Sequence, residues 1–554
     1  MLLCFLCIFC RTLFISVIDR HKYIPYVEKL RSSVKIQQSK RGQILDRNEV
    51  AMAMTNCLID IGVDPCVADY ERDFQKIQQL AAMLNMNPDA LKTCFQRCKF
   101  LKNQKVLDIR WKKIKTIESD TLFERILALK IKGVYGTKKY KRLYPTDGLA
   151  SQIIGFINDD GTASCGIEKS MDRYLKGQDG LIESEKDGNH KELRQFRKLD
   201  INAQNGCDVE LSIDIIIQDM VEKELDSIID KFHPQWATII VSDATTGEIL
   251  GLSNRPTYNN NLYNKASIDS FRNRAITDIY EPGSVFKIVA SSIALEQGLI
   301  TPETVFDCSK DYITVSNREI KLPKDHSKFD KLSLTDVLRK SSNRGMAHIG
   351  LILGKKRLYE AAKAFGFGKP TGYGLDGEVP GILHPYNKWD SLTITRFPMG
   401  HAIGVTPMQI HQAMGIIANG GFLLKPQIVR KIVDHSGHNV LKFHPEIKGK
   451  VLSYKTTNIM INILYDPNNK DANINGLGIV YKTGTSQKIV NGKYSSSHHI
   501  SSCSGFFPQD SPQVLITVVI DDAKLDNGIA WGHRVALPSL KSLVDKISRY
   551  IDLQ

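Results

Sequence analysis

The run from Val285 to Leu295 constrains this chain more than any other stretch. It is apolar on nearly every face, with only Lys287, Ser291 and Ser292 polar, and a helix that is apolar all round has to be covered on every side by other elements. Glu281-Pro282-Gly283 supplies the turn that leads into it, and Gly298 suits the left-handed position that ends a helix. The pattern therefore predicts a buried central helix opened by Ser284, inside a fold large enough to surround it. At the start of such a helix the backbone N–H groups lack intrahelical partners, and they would stabilise negative charge developing on a substrate carbonyl oxygen.

Lys287 stands three residues after Ser284, on the same helix face, where the two side chains can meet. A serine hydroxyl is a poor nucleophile and needs a base within hydrogen-bond reach. A lysine serves as that base only when burial or a neighbouring cation lowers its pKa. Lys482, in Lys482-Thr483-Gly484-Thr485, is the candidate neighbour, and Ser341-Ser342-Asn343 lies between the two motifs in sequence. Each motif alone is weak. Ser32-Ser33-Val34-Lys35 repeats the first spacing, Lys482-Thr483-Gly484 also reads as a strand end with a turn glycine, and Ser341-Ser342-Asn343 also reads as a solvated turn. In this order the three describe one serine acyl-transfer site.

The likeness extends beyond the trio. Arg272-Asn273-Arg274-Ala275-Ile276-Thr277-Asp278 running into Tyr280-Glu281-Pro282-Gly283-Ser284 resembles the active-site segment of the class B penicillin-binding proteins, specifically the division type, FtsI. Arg41-Gly42-Gln43-Ile44-Leu45-Asp46-Arg47, Arg142-Leu143-Tyr144-Pro145, Ile154-Gly155-Phe156 and Gly166-Ile167-Glu168 resemble that family's non-catalytic pedestal, while Gly400 to Gln409 and Gly505 to Pro508 resemble further landmarks. The resemblance covers most of the chain from about Arg41 onward.

Strands at both ends of the C-terminal region with helices between them suggest an α+β or mixed α/β architecture. The resemblance sharpens this to a penicillin-binding transpeptidase fold, an antiparallel five-stranded sheet flanked by helices, with Lys482-Thr483-Gly484 on the strand that lines the cleft. It also implies the chemistry. Ser284 would attack the carbonyl of the penultimate D-alanine of a peptidoglycan stem peptide while Lys287 takes the hydroxyl proton, giving an acyl-enzyme. Ser341 would relay a proton to the departing D-alanine, Asn343 would bind substrate backbone and orient Lys287, and Lys482 would add positive field. Thr483 and Thr485 hydroxyls would bind the terminal carboxylate, and the N–H groups of Ser284 and Thr485 would form the oxyanion hole. Gly484 would let substrate approach the strand closely. The acceptor is an amine of a neighbouring stem peptide, and β-lactam antibiotics would acylate the same serine. No metal or cofactor is expected.

At 554 residues the chain is too long for one compact core. Residues 1–18 form an apolar head followed by Asp19-Arg20-His21-Lys22, and they read as an uncleaved membrane anchor, near the lower length limit and interrupted by Arg11, in preference to a cleavable signal peptide. Residues 19–205 read as a non-catalytic pedestal or dimerisation-type domain, with helices over Phe74 to Leu84 and Pro88 to Lys102 and a polar connecting segment from Glu183 to Asp208. Residues 206–554 read as the transpeptidase domain, with a helix from about Ile217 to Phe232, a hairpin around Ala244-Thr245-Thr246-Gly247, and strands at Ile479 to Thr485, His499 to Phe507 and Val514 to Ile520. The expected location is the inner (cytoplasmic) membrane, single-pass, with the catalytic domain facing the periplasm or exterior.

The net charge of +14 calls for an acidic partner. The basic residues are dispersed and no nucleic-acid motif is present, so membrane or cell wall fits better. A glycosyltransferase and other division proteins are the expected protein partners. The chain holds 11 cysteines, and Cys94 and Cys98 do not match a zinc pattern; buried apolar thiols are the preferred reading. Thr406-Pro407 reads as a helix entry, with Thr406 as N-cap. His498 and His499 read as solvated loop histidines. Rival functions are an elongation-type transpeptidase, a D,D-carboxypeptidase using water as acceptor, and an idle divisome scaffold, against which intact Ser284, Lys287 and Lys482 speak. A β-lactamase is disfavoured by the missing deacylating carboxylate element.

Overall fold

The computed structural model describes residues 2–102, 105–187, 192–315 and 318–551. Met1 of the expected anchor, residues 188–191 of the expected connecting segment and residues 552–554 of the expected catalytic region lie outside them. The chain forms two compact units, one from residues 1–43, 54–143 and 173–207, the other from residues 44–53, 144–172 and 208–554.

In the first unit a long strand, residues 54–63, pairs antiparallel with Lys112–Ile117 on one side and Val134–Leu143 on the other. Its alternate residues Ile59, Ile61 and Val63 point to one face, where Ile77, Leu80 and Leu84 of the helix Phe74–Leu84 cover them. The next helix is Pro88–Phe95, N-capped by the Asn87 side chain, and it stops short of the expected Lys102. Gln96 turns extended and Lys99–Lys102 pairs with Lys105–Asp108 as a hairpin, because Lys99-Phe100-Leu101-Lys102 carries no 3.6-residue repeat to continue the helix. The polar segment from Glu183 is likewise not a plain connector. Gly180–Lys186 pairs with Ser32–Gln37 and with Leu199–Ile201, a small sheet held by backbone bonds with most side chains at least partly exposed, and so without an apolar alternation to announce it.

The apolar head is helical over Leu2–Leu13 and Phe14–Ile18, followed by Arg20–Arg31, with Phe5, Leu6, Ile8, Phe9, Val17 and Ile18 exposed. Among the described residues no helix is long and apolar enough to cross a membrane.

The second unit is built on a five-stranded antiparallel sheet. Its strands are β1 (Trp236–Asp243), β2 (Ile249–Arg255), β3 (Val480–Val490), β4 (Lys493–Phe507) and β5 (Val514–Asp521), in the spatial order β2-β1-β5-β4-β3. Helix α1 (Ile215–Phe232) starts at Asp214, whose carboxylate accepts the N–H groups of Ile216 and Ile217, and places Ile217, Val221, Leu225 and Ile228 on one stripe. That stripe packs with the closing helix α5 (Gly532–Tyr550) on one face of the sheet, against Ile239, Val241, Ile516 and Val518. The opposite face carries α2 (Lys287–Glu296), α3 (Asn343–Ala364, kinked at Gly354) and α4 (Pro407–Ala418). Both faces being covered, β1 and β5 are buried along nearly their whole length, which explains runs that are apolar rather than alternating.

The central apolar run is buried as the sequence requires: Lys287 through Leu295 are all inaccessible or nearly so. The entry differs in detail. Gly283–Phe286 forms a 3-10 turn and the α-helix begins at Lys287. Gly298 has φ +65°, ending the helix in the left-handed region as expected.

Candidate active site

A cavity of about 550 Å3 opens between the start of the central helix and the edge strand β3. Ser284, Ser341, Asn343, Thr483, Gly484 and Thr485 line it, so three stretches distant in sequence converge on one space. A 3-10 turn repeats every three residues and sets positions i and i+3 in line, which puts Ser284 directly over Lys287. The Ser284 hydroxyl is partly exposed; among the described hydrogen bonds it engages neither lysine.

The two amines meet at Ser341. Lys287, fully buried, donates from Nζ to the Ser341 carbonyl (2.5 Å), to Ser341 Oγ (3.1 Å) and to Asn343 Oδ1 (2.9 Å). Lys482, 5% exposed, donates from Nζ to the same Ser341 Oγ (3.1 Å) and to the Thr483 carbonyl (3.0 Å). Burial and then the Lys482 charge push the Lys287 pKa well below the ordinary lysine value, with Asp325 opposing in part. Burial brings Lys482 down to about 8. Both shifts favour loss of an ammonium proton, and a hydroxyl set between a neutral amine and an ammonium can accept from one and donate to the other.

Ser341-Ser342-Asn343 is not a solvated turn. Ser341 sits at φ +55°, Ser342 is fully buried, and the Ser342 hydroxyl caps α3 by accepting the Gly345 N–H at 3.1 Å. Sequence reading missed Asp325, which fixes this corner. Its carboxylate accepts the Ser342 hydroxyl (2.8 Å), the Arg344 N–H (3.2 Å) and the Asn343 N–H. Asn343 Nδ2 in turn donates to the Lys324 carbonyl at 2.9 Å, so the side chain that holds Lys287 is itself held. Lys324-Asp325-His326 forms no motif, and only its distance in sequence from α3 conceals the cap.

Close packing brings β3 to the turn that carries Ser284. A Cβ on Gly484 would lie 2.6 Å from Val285 Cγ2, 2.7 Å from Ser502 Oγ and 2.9 Å from the Pro282 carbonyl oxygen. The missing side chain therefore lets the strand and the turn meet. Gly532, at the start of α5, would place a Cβ 2.3 Å from the Gly484 carbonyl oxygen. Its N–H donates to Thr485 Oγ1 at 2.9 Å, which occupies an acceptor site of that hydroxyl and leaves its proton to donate.

Glu281 anchors the turn from the other side. Burial would raise its pKa, but the hydrogen bond from His401 (Nδ1, 2.9 Å), the Ala402 N–H (2.9 Å) and the Tyr494 hydroxyl hold it below the usual value. Thr406 accepts the Gln409 N–H as the expected N-cap, with Pro407 in the first turn, and Gln409 Oε1 accepts the Thr406 N–H in return, completing a capping box.

Two expectations fail. His498 and His499 lie on strand β4 rather than in a solvated loop; His499 is buried, and His498 Nδ1 lies 2.8 Å from Asp522. Among the described residues neither imidazole hydrogen-bonds a serine hydroxyl. Of the cysteines, only Cys308 and Cys503 are fully buried; the others are partly or wholly exposed.

The family model described as the penicillin binding protein transpeptidase domain matches residues 237–545, and the penicillin-binding protein dimerisation domain matches residues 36–211. The chain is 30% identical over 557 residues to Stage V sporulation protein D of Bacillus subtilis, covering 98% of this chain and 84% of that protein. It is 28% identical to peptidoglycan D,D-transpeptidase FtsI of Buchnera aphidicola (98% and 92% covered) and 27% identical to FtsI of Escherichia coli K12 (94% and 86% covered). Among solved structures, penicillin binding protein 2X from Streptococcus thermophilus shares the fold with a TM-score of 0.78 at 22% identity, covering 93% of this chain and 80% of that one.

Proposed function

The chain belongs to the class B penicillin-binding protein transpeptidases and is a peptidoglycan D,D-transpeptidase, and from that premise we propose that it cross-links stem peptides in septal wall synthesis during division, through an acyl-enzyme on Ser284. The observation that carries the mechanism is the convergence of two lysine amines on one hydroxyl, Ser341 Oγ, in the wall of the cavity that Ser284 lines.

Ser284 attacks the penultimate D-alanine carbonyl and Lys287, neutral in its buried setting, receives the proton. The Lys287–Ser341–Lys482 chain passes a proton to the leaving D-alanine nitrogen. Asn343 orients Lys287 through Oδ1. The N–H groups of Ser284 and Thr485 receive the developing oxyanion, each worth roughly 3 kcal/mol, and the free O–H of Thr485 with that of Thr483 receives the terminal carboxylate. β-Lactams acylate the same hydroxyl. The three stretches form one device because each supplies a group the others lack.

We place the membrane anchor at residues 1–18, the pedestal at 19–205 and the transpeptidase domain at 206–554, with the catalytic domain outside the cytoplasmic membrane. The division role rests on the two FtsI relatives; a sporulation-wall role is the second reading, supported by the match to Stage V sporulation protein D. Labelling with a fluorescent penicillin tests the chemistry: the wild type should label and Ser284→Ala should not, and equal labelling would remove Ser284 as nucleophile. Depletion in growing cells tests the role. Filaments without septa support division, whereas normal division with defective spores supports the second reading.

A further inference from the structure

Basic residues that are dispersed along the sequence gather on one sheet of the first unit. The two strands flanking residues 54–63 hold three cations in Lys112–Ile117 and four in Val134–Leu143, with no acid in either. One face of this sheet is covered, where Ile59 and Ile61 meet the helix Phe74–Leu84. Side chains alternate across a strand, so Tyr135, Thr137, Lys139 and Lys141 line the other face, with Tyr135 paired to Gly62 and Thr137 to Asp60. All four are exposed, and they span about 20 Å.

At one end of the strip Gly62 leaves room for Trp111, since a Cβ there would lie 2.3 Å from Trp111 Cη2. The indole lies over the strand and packs against Tyr135 with ring centres 4.5 Å apart, an aromatic ledge in which Tyr135 stays 43% exposed. Next along the strand, the buried Asp60 carboxylate accepts from Thr116 Oγ1 (2.6 Å), Lys113 Nζ (2.7 Å) and Lys139 Nζ (2.9 Å). One carboxylate against two ammoniums leaves positive charge in surplus. Both lysine side chains remain more than half exposed, and each ammonium carries further N–H groups for a ligand. Lys141 adds a third cation beyond them.

We infer that this face of the first unit binds the wall polymer itself, its ammoniums taking free carboxylates of the stem peptides and Tyr135 taking the face of a sugar ring. The inference rests on peptidoglycan being the substrate of this enzyme. Charge alone fits any acidic partner; the ledge adds a stacking surface that a sugar ring fills, and a long, narrow strip suits an extended chain that carries both groups. Aromatic and basic residues also collect where proteins meet a bilayer, but here the ledge is remote from the apolar head. The chain arrives from that head at the other end of the strands, where Thr55 Oγ1 donates to the Arg41 carbonyl at 3.0 Å and Arg142 Nη1 to the Gly42 carbonyl at 2.6 Å. From Arg142 to Tyr135 the strand runs about 23 Å.

The test is co-sedimentation of the full chain, in detergent, with insoluble peptidoglycan after penicillin has been added to occupy the active site. Wild type should sediment with the wall, be released as salt rises from about 50 to about 300 mM, and bind poorly to peptidoglycan whose carboxylates have been amidated. The Lys139→Gln, Lys141→Gln double variant, which leaves Lys113 to pair with Asp60, should raise the apparent Kd about tenfold, and Tyr135→Ser about fivefold. Lys141→Glu, at an exposed site away from Asp60, should weaken binding as well and decides the matter even if the others fail to fold. A wild type left in the supernatant, equal binding to amidated wall, or variants that sediment as wild type does would overturn the inference. So would variants that keep wall binding but lose flotation with phosphatidylglycerol vesicles, which would give the face to a membrane. Penicillin labelling, unchanged by these substitutions, reports folding; its failure in wild type would contradict the acyl-enzyme reading, while sedimentation still decides this one.

Discussion

At the residue scale the account depends on where two protons sit. Lys287 must be neutral to accept the Ser284 proton, and Lys482 must stay charged to supply field and proton. Acylation by penicillin should therefore rise with pH as Lys287, held low by burial and Lys482, deprotonates, and fall again as Lys482 deprotonates near about 8. A rate that keeps rising well beyond that point would contradict the assignment. Asp325 keeps part of a proton's attraction on Lys287; Asp325→Asn removes that charge and should move the acidic limb to lower pH. Lys287→Ala should slow acylation by about 100- to 10,000-fold. The convergence of Ser284, Lys287, Lys482, Ser341 and Asn343 was legible in the sequence, because acyl transfer would demand those residue types at those spacings. Asp325 and Glu281 were not, because a carboxylate that caps a distant backbone leaves no local pattern.

At the element scale, the site is a contact between a helical turn, an edge strand and the start of α5, with glycines where they touch. Gly532→Ala would drive a Cβ to 2.3 Å from the Gly484 carbonyl oxygen, which has no flexible end to move aside. It should cost about 1–3 kcal/mol, read as a lower melting temperature, and slow penicillin labelling by shifting β3; unaltered labelling and stability would show that the approach is slack. Thr406→Ala removes a buried capping box and should cost about 1 kcal/mol by denaturant unfolding. The apolar run after Ser284, the α1 stripe and the strands of the sheet showed in the sequence through periodicity and burial. The hairpin at Lys99–Lys102 and the sheet containing Gly180–Lys186 did not, since pairing with distant polar strands needs no apolar alternation.

At the scale of the whole molecule, the second unit buries two apolar layers against one sheet while the first carries its own core. The sequence implied a division near residue 205, but not that residues 44–53 and 144–172 belong with the second unit, because chain excursions between units are set by contacts remote in sequence. If the exposed apolar head is the proposed membrane anchor, deletion of residues 2–18 should release the protein from the membrane fraction with penicillin labelling retained, and continued sedimentation with membranes would place the anchor elsewhere. The central claim, that Ser284 carries the acyl group beside the Ser341 hydroxyl on which two buried amines converge, is tested most directly by mass-spectrometric peptide mapping of the full chain after reaction with penicillin. The account predicts the adduct on the peptide containing Ser284, absent in Ser284→Ala; an adduct on Ser341, or on any other residue with Ser284 unmodified, would contradict it.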